Sequence, residues 1–316
     1  MTKSLHVAVL MGGWSAEREV SLMSGKGVAE ALESRGHTVT RIDMDRNVAA
    51  VIAGVRPDVV FNALHGTPGE DGRVQGMLDL MQFPYTHSGM TTSVIAIDKQ
   101  LTKNELLPHG IPMPDGKIVD CESLYSADPF PRPYVLKPVN EGSSVGVAIV
   151  RAEGNYGNPI GRDVAGPWQE FDTLLAEPFI KGRELTTAVV GGAPLMVTEL
   201  VTSSGFYDYD AKYTEGMTQH ICPADIPQDI ADYCEELALS AHRILGCKGP
   251  SRSDFRWDDE RGRDGLYLLE VNTQPGMTPF SLVPEQAKVA GIDYAELVER
   301  IVREALQNSS VTEALA

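Results

Sequence analysis

Two short runs in the last quarter of the chain, residues 252–256 (RSDFR) and 266–272 (LYLLEVN), flank a turn-forming stretch at 258–265. Read as an antiparallel hairpin centred near residue 262, they set Asp254 opposite Glu270, with Asn272 two residues further along the same face. Cross-strand neighbours sit about 5 Å apart, so two carboxylates placed there repel unless a cation lies between them. The donors Asp254, Glu270 and Asn272 are all oxygen, which suits Mg²⁺ and not zinc. A solvated hairpin face is the competing account of the same spacing.

The N-terminal third has a different rhythm. Strand signals at 6–11, 37–43, 59–64 and, briefly, 84–86 alternate with helical ones, which implies a parallel sheet with right-handed crossovers. The first helix begins after Ser15, a candidate N-cap, carries Val20, Met23, Gly27, Val28, Ala31 and Leu32 near helical spacing, and meets Gly36 where a C-cap belongs. From about Thr91 one helix is expected through Asp98, Lys99 and Lys103, followed by a proline-bearing turn at 111–114. The remainder turns to strand pairs: 134–137 and 147–151 around a glycine-rich loop, then 187–190 and 195–200 joined through Gly191 and Gly192. Residues 154–166, rich in Gly, Asn and Pro, read as a surface loop, and 203–220 as a loop or lid. Ile230, Cys234, Leu237, Ala241, Ile244 and Leu245 mark the buried stripe of one more helix. The fold class is α/β, with an α+β second part.

Several function classes are disfavoured. A net charge of −17 offers no basic stripe for nucleic acid. No run of about 18 apolar residues crosses a membrane, and no signal-peptide core follows Met1. Cys121, Cys222, Cys234 and Cys247 form no metal-binding or redox pair, which fits reduced thiols in the cytoplasm. The segment at 137–146 (KPVNEGSSVG) has small residues whose backbone N–H groups can approach an anion beside a lysine, as in a phosphate cover, although a plain flexible loop has the same composition. Its last five residues also match G-x-S-x-G, the nucleophile elbow of serine hydrolases, but that motif needs a following helix and here a strand follows. Gly25-Lys26-Gly27 lacks the Ser/Thr of a Walker A loop. Near the N-terminus, 11–19 (MGGWSAERE) joins a strand to a helix and suits a carboxylate or phosphate. His65 sits at the end of a parallel strand, where open sheets bind ligands.

Taken together, 12–21 (GGWSAEREVS), 63–66 (ALHG), 69–72 (GEDG), 141–146 (EGSSVG), 207–213 (YDYDAKY) and 270–278 (EVNTQPGMT) closely resemble D-alanine:D-alanine ligases, in the family's order and over nearly the whole chain. The resemblance implies a three-domain ATP-grasp fold, divided as 1–95, 96–180 and 181–316. It implies ATP-driven joining of two D-alanines through a D-alanyl phosphate, for peptidoglycan. By the same analogy Lys99, Lys137 and Lys212 meet the phosphates, and Asp254, Glu270 and Asn272 hold two Mg²⁺ ions, with Mn²⁺ able to replace them. Glu177 and Glu184 take the adenine amine and the ribose, with backbone contacts from Phe179 and Ile180. Glu17 binds the first D-alanine's ammonium, partnered by Ser143 and Tyr213, and His65 joins the catalytic and substrate-binding set. Arg252 and the Gly276 N–H form the oxyanion hole, and Ser281 with Leu282 anchors the second carboxylate. The family further suggests a homodimer.

Departures from the family pattern are a Gly/Pro-rich 154–168, where a helix is usual, and Trp14 and Gln274 at variable positions. Tyr213 favours an amide-forming enzyme over a D-alanine:D-lactate ligase. Another ATP-grasp carboxylate–amine ligase is the remaining enzymatic alternative. A non-catalytic nucleotide-binding protein would be expected to lose Asp254, Glu270 or Arg252, all of which are present.

Overall fold

The structure, a computed structural model, describes residues 3–142, 145–153, 156–202 and 218–315. Its first sheet is three-stranded and parallel, in the order β2–β1–β3, with β1 at His6–Met11, β2 at Thr38–Asp43 and β3 at Val59–Asn62. The apolar run of β1 is covered on both faces, as parallel strands are: Val7 and Val9 face one core, Ala8 and Leu10 another with Ile42, Ile52 and Leu78. The expected strand near 84–86 shrinks to a single bridge between Val60 and Tyr85.

Helix α1 (Arg18–Ser34) forms as expected and buries Val28, Ala31 and Leu32 of the expected stripe, but its first half turns a different face inward. Met23 is 55% exposed, while Ser21, Ser24 and Gly25 are buried. The physical reason is close approach to β1: a Cβ on Gly25 would lie 2.5 Å from the Met11 Cβ. Ser21 Oγ links the two loops beneath, accepting from Gly12 N and donating to Ala63 O, both at 2.8 Å. Ser15 is not the N-cap; its hydroxyl donates to His65 O at 2.6 Å and accepts from Glu17 N at 3.2 Å.

Two helices replace the single one expected from Thr91 onward. α4 (Met90–Ile97) and α5 (Lys99–Leu106) follow α2 (Val48–Val55) and α3 (Arg73–Leu80), and break at Asp98, whose extended backbone lets its carboxylate cap Leu101 N at 2.9 Å. The second sheet is antiparallel, in the order β4–β7–β5–β6, with β4 at Lys117–Asp120, β5 at Tyr134–Pro138, β6 at Ala148–Val150 and β7 at Thr173–Pro178. A strand does follow the glycine-rich loop, so the context of a nucleophile elbow is missing. The stretch expected to be a surface loop is partly core. Ile160 is 1% exposed, and Tyr156 meets the wholly buried Trp168, just beyond that stretch, edge-on at 5.2 Å.

The third sheet runs β11–β10–β8–β12–β13, with the two-residue β9 (Ala193–Pro194) paired to β8. Its strands are β8 (Arg183–Val190), β10 (Thr198–Thr202), β11 (Thr218–Ile221), β12 (Ser251–Trp257) and β13 (Leu266–Asn272). Gly191 and Gly192 take φ of +59° and +75°, which is what the tight turn between β8 and β9 demands. Residues 218–220 of the expected lid belong to β11, and 203–217 lie outside the described residues. Helix α6 (Gln228–Ile244) covers one face of this sheet through the expected stripe, and α7 (Leu282–Val289) the other.

Asp254 pairs with Glu270 and Arg252 with Asn272, as the hairpin spacing predicts. A register shift between Asp254 and Phe255 then re-aims the ladder. Beyond it, Leu268 and Leu266 turn into the core with Phe255, while Glu270 stays on the face that lines a cavity. The last helix, α8 (Tyr294–Leu315), returns to the first sheet. Leu297, Val298, Ile301 and Val302 pack with Val7, Val9, Val28 and Phe61, in a core that also takes in Ala188 and Val190 of β8.

Candidate active site

Two cavities open between the sheets and share Lys99, Glu141 and Glu270 in their walls. One runs between the second and third sheets and is lined by Lys137, Glu177, Phe179, Ile180, Glu184, Asp254 and Arg256. The other extends toward the first sheet and is lined by Glu17, His65, Arg252, Asn272, Gly276 and Ser281 with Leu282. Every described residue singled out as a site candidate therefore borders one of two adjoining spaces. Ser143, Lys212 and Tyr213 lie outside the described residues.

The first cavity is organised by buried charge. Glu177, at the end of β7 and 2% exposed, sits 2.7 Å from both Lys103 and Lys137. Burial alone would push its carboxyl up; the two ammonium groups outweigh this and hold it below the usual range. Lys99 Nζ donates to Glu141 O at 2.6 Å, tying the start of α5 to the glycine-rich loop. Arg256 bridges the wall, with Nη1 donating to Glu184 Oε2 at 3.1 Å and Nε to Ile180 O at 3.3 Å, and its guanidinium stacks 5.6 Å from the Phe179 ring. The Phe179 N–H donates to Pro133 O at 3.2 Å, so a backbone contact from Phe179 to a ligand falls to its carbonyl.

Where the cavities meet, Arg252 donates to both Asp254 oxygens, and Thr186 Oγ1 adds a third bond to Asp254 Oδ1 at 2.6 Å. Asn272 Oδ1 accepts from Gln274 N at 2.9 Å, which fixes the amide at the strand's end. In the second cavity the buried His65 ring spans Ser24 Oγ at 3.0 Å and Glu70 Oε1 at 3.4 Å. Ser281 stands at the N-terminus of α7, its hydroxyl bonded to Thr278 N and Oγ1 at 3.1 and 2.8 Å. That helix end faces a cavity wall and favours an anion.

The chain matches the family models described as D-ala D-ala ligase N-terminus, over residues 49–88, and D-ala D-ala ligase C-terminus, over residues 121–303. The D-alanine–D-alanine ligase of Sphingopyxis alaskensis is 77% identical over 301 residues, covering 95% of this chain and 98% of its own. This chain belongs to the D-alanine–D-alanine ligase family. A second member, from Zymomonas mobilis, is 65% identical over 313 residues, covering 99% of this chain and 98% of its own. Among solved structures, the Bacillus anthracis D-alanine–D-alanine ligase complexed with ATP superposes with a TM-score of 0.79 at 27% identity, covering 98% of this chain and all of the other. The three sheets described above are thus an ATP-grasp fold, as the resemblance implied.

Some residues that build the site of this family member were not foreseen as parts of it. Lys103 is one, although its i, i+4 spacing from Lys99 puts both lysines on one helix face. His220, on β11, lines the second cavity and bonds Glu285 of α7 at 2.9 Å. Gln274, 1% exposed, accepts from Asn62 Nδ2 at 2.8 Å and donates to Leu64 O at 2.6 Å, which locks the end of β13 onto the first sheet. No pattern in the sequence marks a long-range polar pair of that kind.

Proposed function

We propose that the chain is an ADP-forming ligase that joins two D-alanine molecules into D-alanyl-D-alanine through a D-alanyl phosphate, for peptidoglycan precursor synthesis. Family membership supports this, and the single structural observation that carries it is the pair of cavities sharing Lys99, Glu141 and Glu270. A carboxylate is a poor acyl donor, and a phosphate on its oxygen makes it a good one. Such chemistry needs a nucleotide lobe and an amino-acid lobe that open onto each other.

ATP is assigned to the first cavity, with Lys99 and Lys137 toward the phosphates, Glu177 at the adenine amine, Glu184 at the ribose, and Phe179 and Ile180 beside the base; Lys212 completes the phosphate set by resemblance. The two D-alanines are assigned to the second, where Glu17 meets the first ammonium and His65 closes the wall; Ser143 and Tyr213 are partners of Glu17 by resemblance alone. Ser281 and the Leu282 N–H receive the second carboxylate. The Arg252 guanidinium and the Gly276 N–H stabilise the oxyanion of the tetrahedral intermediate.

Asp254, Glu270 and Asn272 are assigned as ligands of two Mg²⁺ ions, for which Mn²⁺ substitutes. The donor set fits. Asp254 and Glu270 face one another, and Asp254 already draws a cationic side chain. Among the described residues no cluster of three His, Cys, Asp or Glu side chains stands ready for a metal, and Mg²⁺ is commonly held by one or two carboxylates with substrate phosphates completing its shell. Bound there, the ions neutralise charge on the transferring phosphoryl group.

The same reading divides the chain at 1–95, 96–180 and 181–316, makes it a homodimer, and places it in the cytoplasm, where ATP is present and the cysteines, free in the structure, stay reduced. Phosphate release from ATP and Mg²⁺ with D-alanine, L-alanine or D-alanine plus D-lactate, with products identified by mass, tests the assignment. Stoichiometric D-alanyl-D-alanine from D-alanine alone is expected. A predominant ester product would transfer the chain to the depsipeptide ligases, and turnover with neither alanine would move it to another carboxylate–amine pair.

A further inference from the structure

Lys103 is a buried cation that the reaction scheme leaves unused. It lies one turn beyond Lys99 on α5, is 2% exposed, and borders neither cavity. Its ammonium is 2.7 Å from Glu177 Oε1 and donates to Pro114 O at 2.5 Å. Its stem passes Gly116, where a Cβ would come within 3.1 Å of the Lys103 Cε. Lys137 takes the other oxygen of Glu177 at 2.7 Å. An ammonium at this depth is tolerated only when paired, and here one carboxylate serves two of them. Lys103 holds Oε1 from behind, so Oε2 is the oxygen presented to Lys137 and to the cavity.

We propose that Lys103 is a positioning residue for the nucleotide base, clamping Glu177 so that its cavity-side oxygen accepts a hydrogen bond from the exocyclic amine of a 6-aminopurine and repels the carbonyl of a 6-oxopurine. This rests on the reading of the first cavity as the ATP site. A carboxylate is an acceptor only, so its charge discriminates amine from carbonyl when its position is fixed. Without Lys103, Glu177 is free to swing both oxygens onto Lys137, and the cavity loses its oriented acceptor.

The test is steady-state kinetics of the full chain with ATP and with GTP, alongside melting temperature. Lys103→Met is expected to raise the KM for ATP about tenfold or more, a loss in keeping with a displaced charged hydrogen bond. The KM for D-alanine and kcat at saturation should stay near wild type, while the ATP-to-GTP ratio of kcat/KM shrinks by a similar factor. A lower melting temperature with that ratio unchanged would mean that Lys103 only supports the fold, and would overturn the proposal. If Lys103→Met does not fold, the double variant Lys103→Met/Glu177→Gln, which keeps the net charge of the cluster as in the wild type, should match Glu177→Gln alone in its ATP-to-GTP ratio; a further fall would show that Lys103 acts by another route. Glu177→Gln separates the two levels. An unchanged KM for ATP in that variant sinks the nucleotide-site reading itself, whereas a raised KM there and none in Lys103→Met rejects the role of Lys103 alone.

Discussion

Arg252 grips Asp254 with two hydrogen bonds, Nε to Oδ1 at 2.8 Å and Nη2 to Oδ2 at 2.7 Å, from two positions earlier on the same strand. Residues i and i+2 of a strand share a face, so the guanidinium lies beside a carboxylate that itself looks across at Glu270. The proposed oxyanion donor and a proposed metal ligand are thus one hydrogen-bonded unit, and a change in either is felt by the other.

Arg252→Met is expected to lower kcat by about 10²- to 10³-fold, the usual loss for one oxyanion donor, with a smaller change in the KM for ATP. Rapid-quench or steady-state phosphate release measures it. Turnover within a few-fold of wild type would remove the guanidinium from the oxyanion role.

Glu270→Gln should leave the melting temperature close to wild type, because Glu270 lines cavities and not a core. Metal affinity, read by Mn²⁺ titration with ADP present, is expected to fall about a hundredfold and turnover to fall with it. Unaltered Mn²⁺ binding would dismiss the carboxylate as a ligand.

His242, buried on α6 and bonded to Ser251 Oγ at 2.7 Å, has its imidazole pushed down to about 4 from an ordinary 6.5 by burial, with Arg243 adding to it. Between those values the unfolded chain binds a proton that the folded chain refuses, so stability is fully present above pH 6.5 and declines as pH falls toward 4. His87, fully buried and pushed down to about 3, extends the decline in the same direction. Replacing His242 by Gln should flatten the curve of unfolding free energy between pH 6.5 and 4 by about 2–3 kcal/mol. Denaturant titrations across that range test this; an unchanged slope would mean that the ring is already charged in the folded state.

Trp168→Ala should cost about 3–5 kcal/mol of stability, the range for emptying a large aromatic from a core. Trp168 is wholly buried against Tyr156 beneath the second sheet. Urea denaturation reads the loss, and a cost below about 1 kcal/mol would place the indole in a site that collapses freely around the gap.

Much of this architecture is written in local patterns. The alternation through the first 95 residues foretells β1, α1, β2 and β3, and the spacing around residue 262 places Asp254 opposite Glu270 correctly. What local pattern misses is whatever depends on partners far along the chain. Met23 satisfies the helical stripe of α1, yet close approach to Met11 requires the small Ser21, Ser24 and Gly25 on that side. Trp168 sits in a Gly/Pro-rich stretch whose composition suggests solvent, and only the second sheet supplies its burial. The break at Asp98 leaves a faint mark, an acidic cap inside an otherwise helical run. Most site candidates come from resemblance, because residues drawn together from three sheets have no common period in sequence.

The last helix of the chain completes the core of the first sheet, with Leu297, Val298, Ile301 and Val302 laid against Val7, Val28 and Phe61. During synthesis, N-terminal units commonly mature before the rest of the chain has emerged. Here that order is denied: the first sheet keeps part of an apolar face uncovered until α8, far along the chain, has been made, so its strands cannot complete their core as an independent unit.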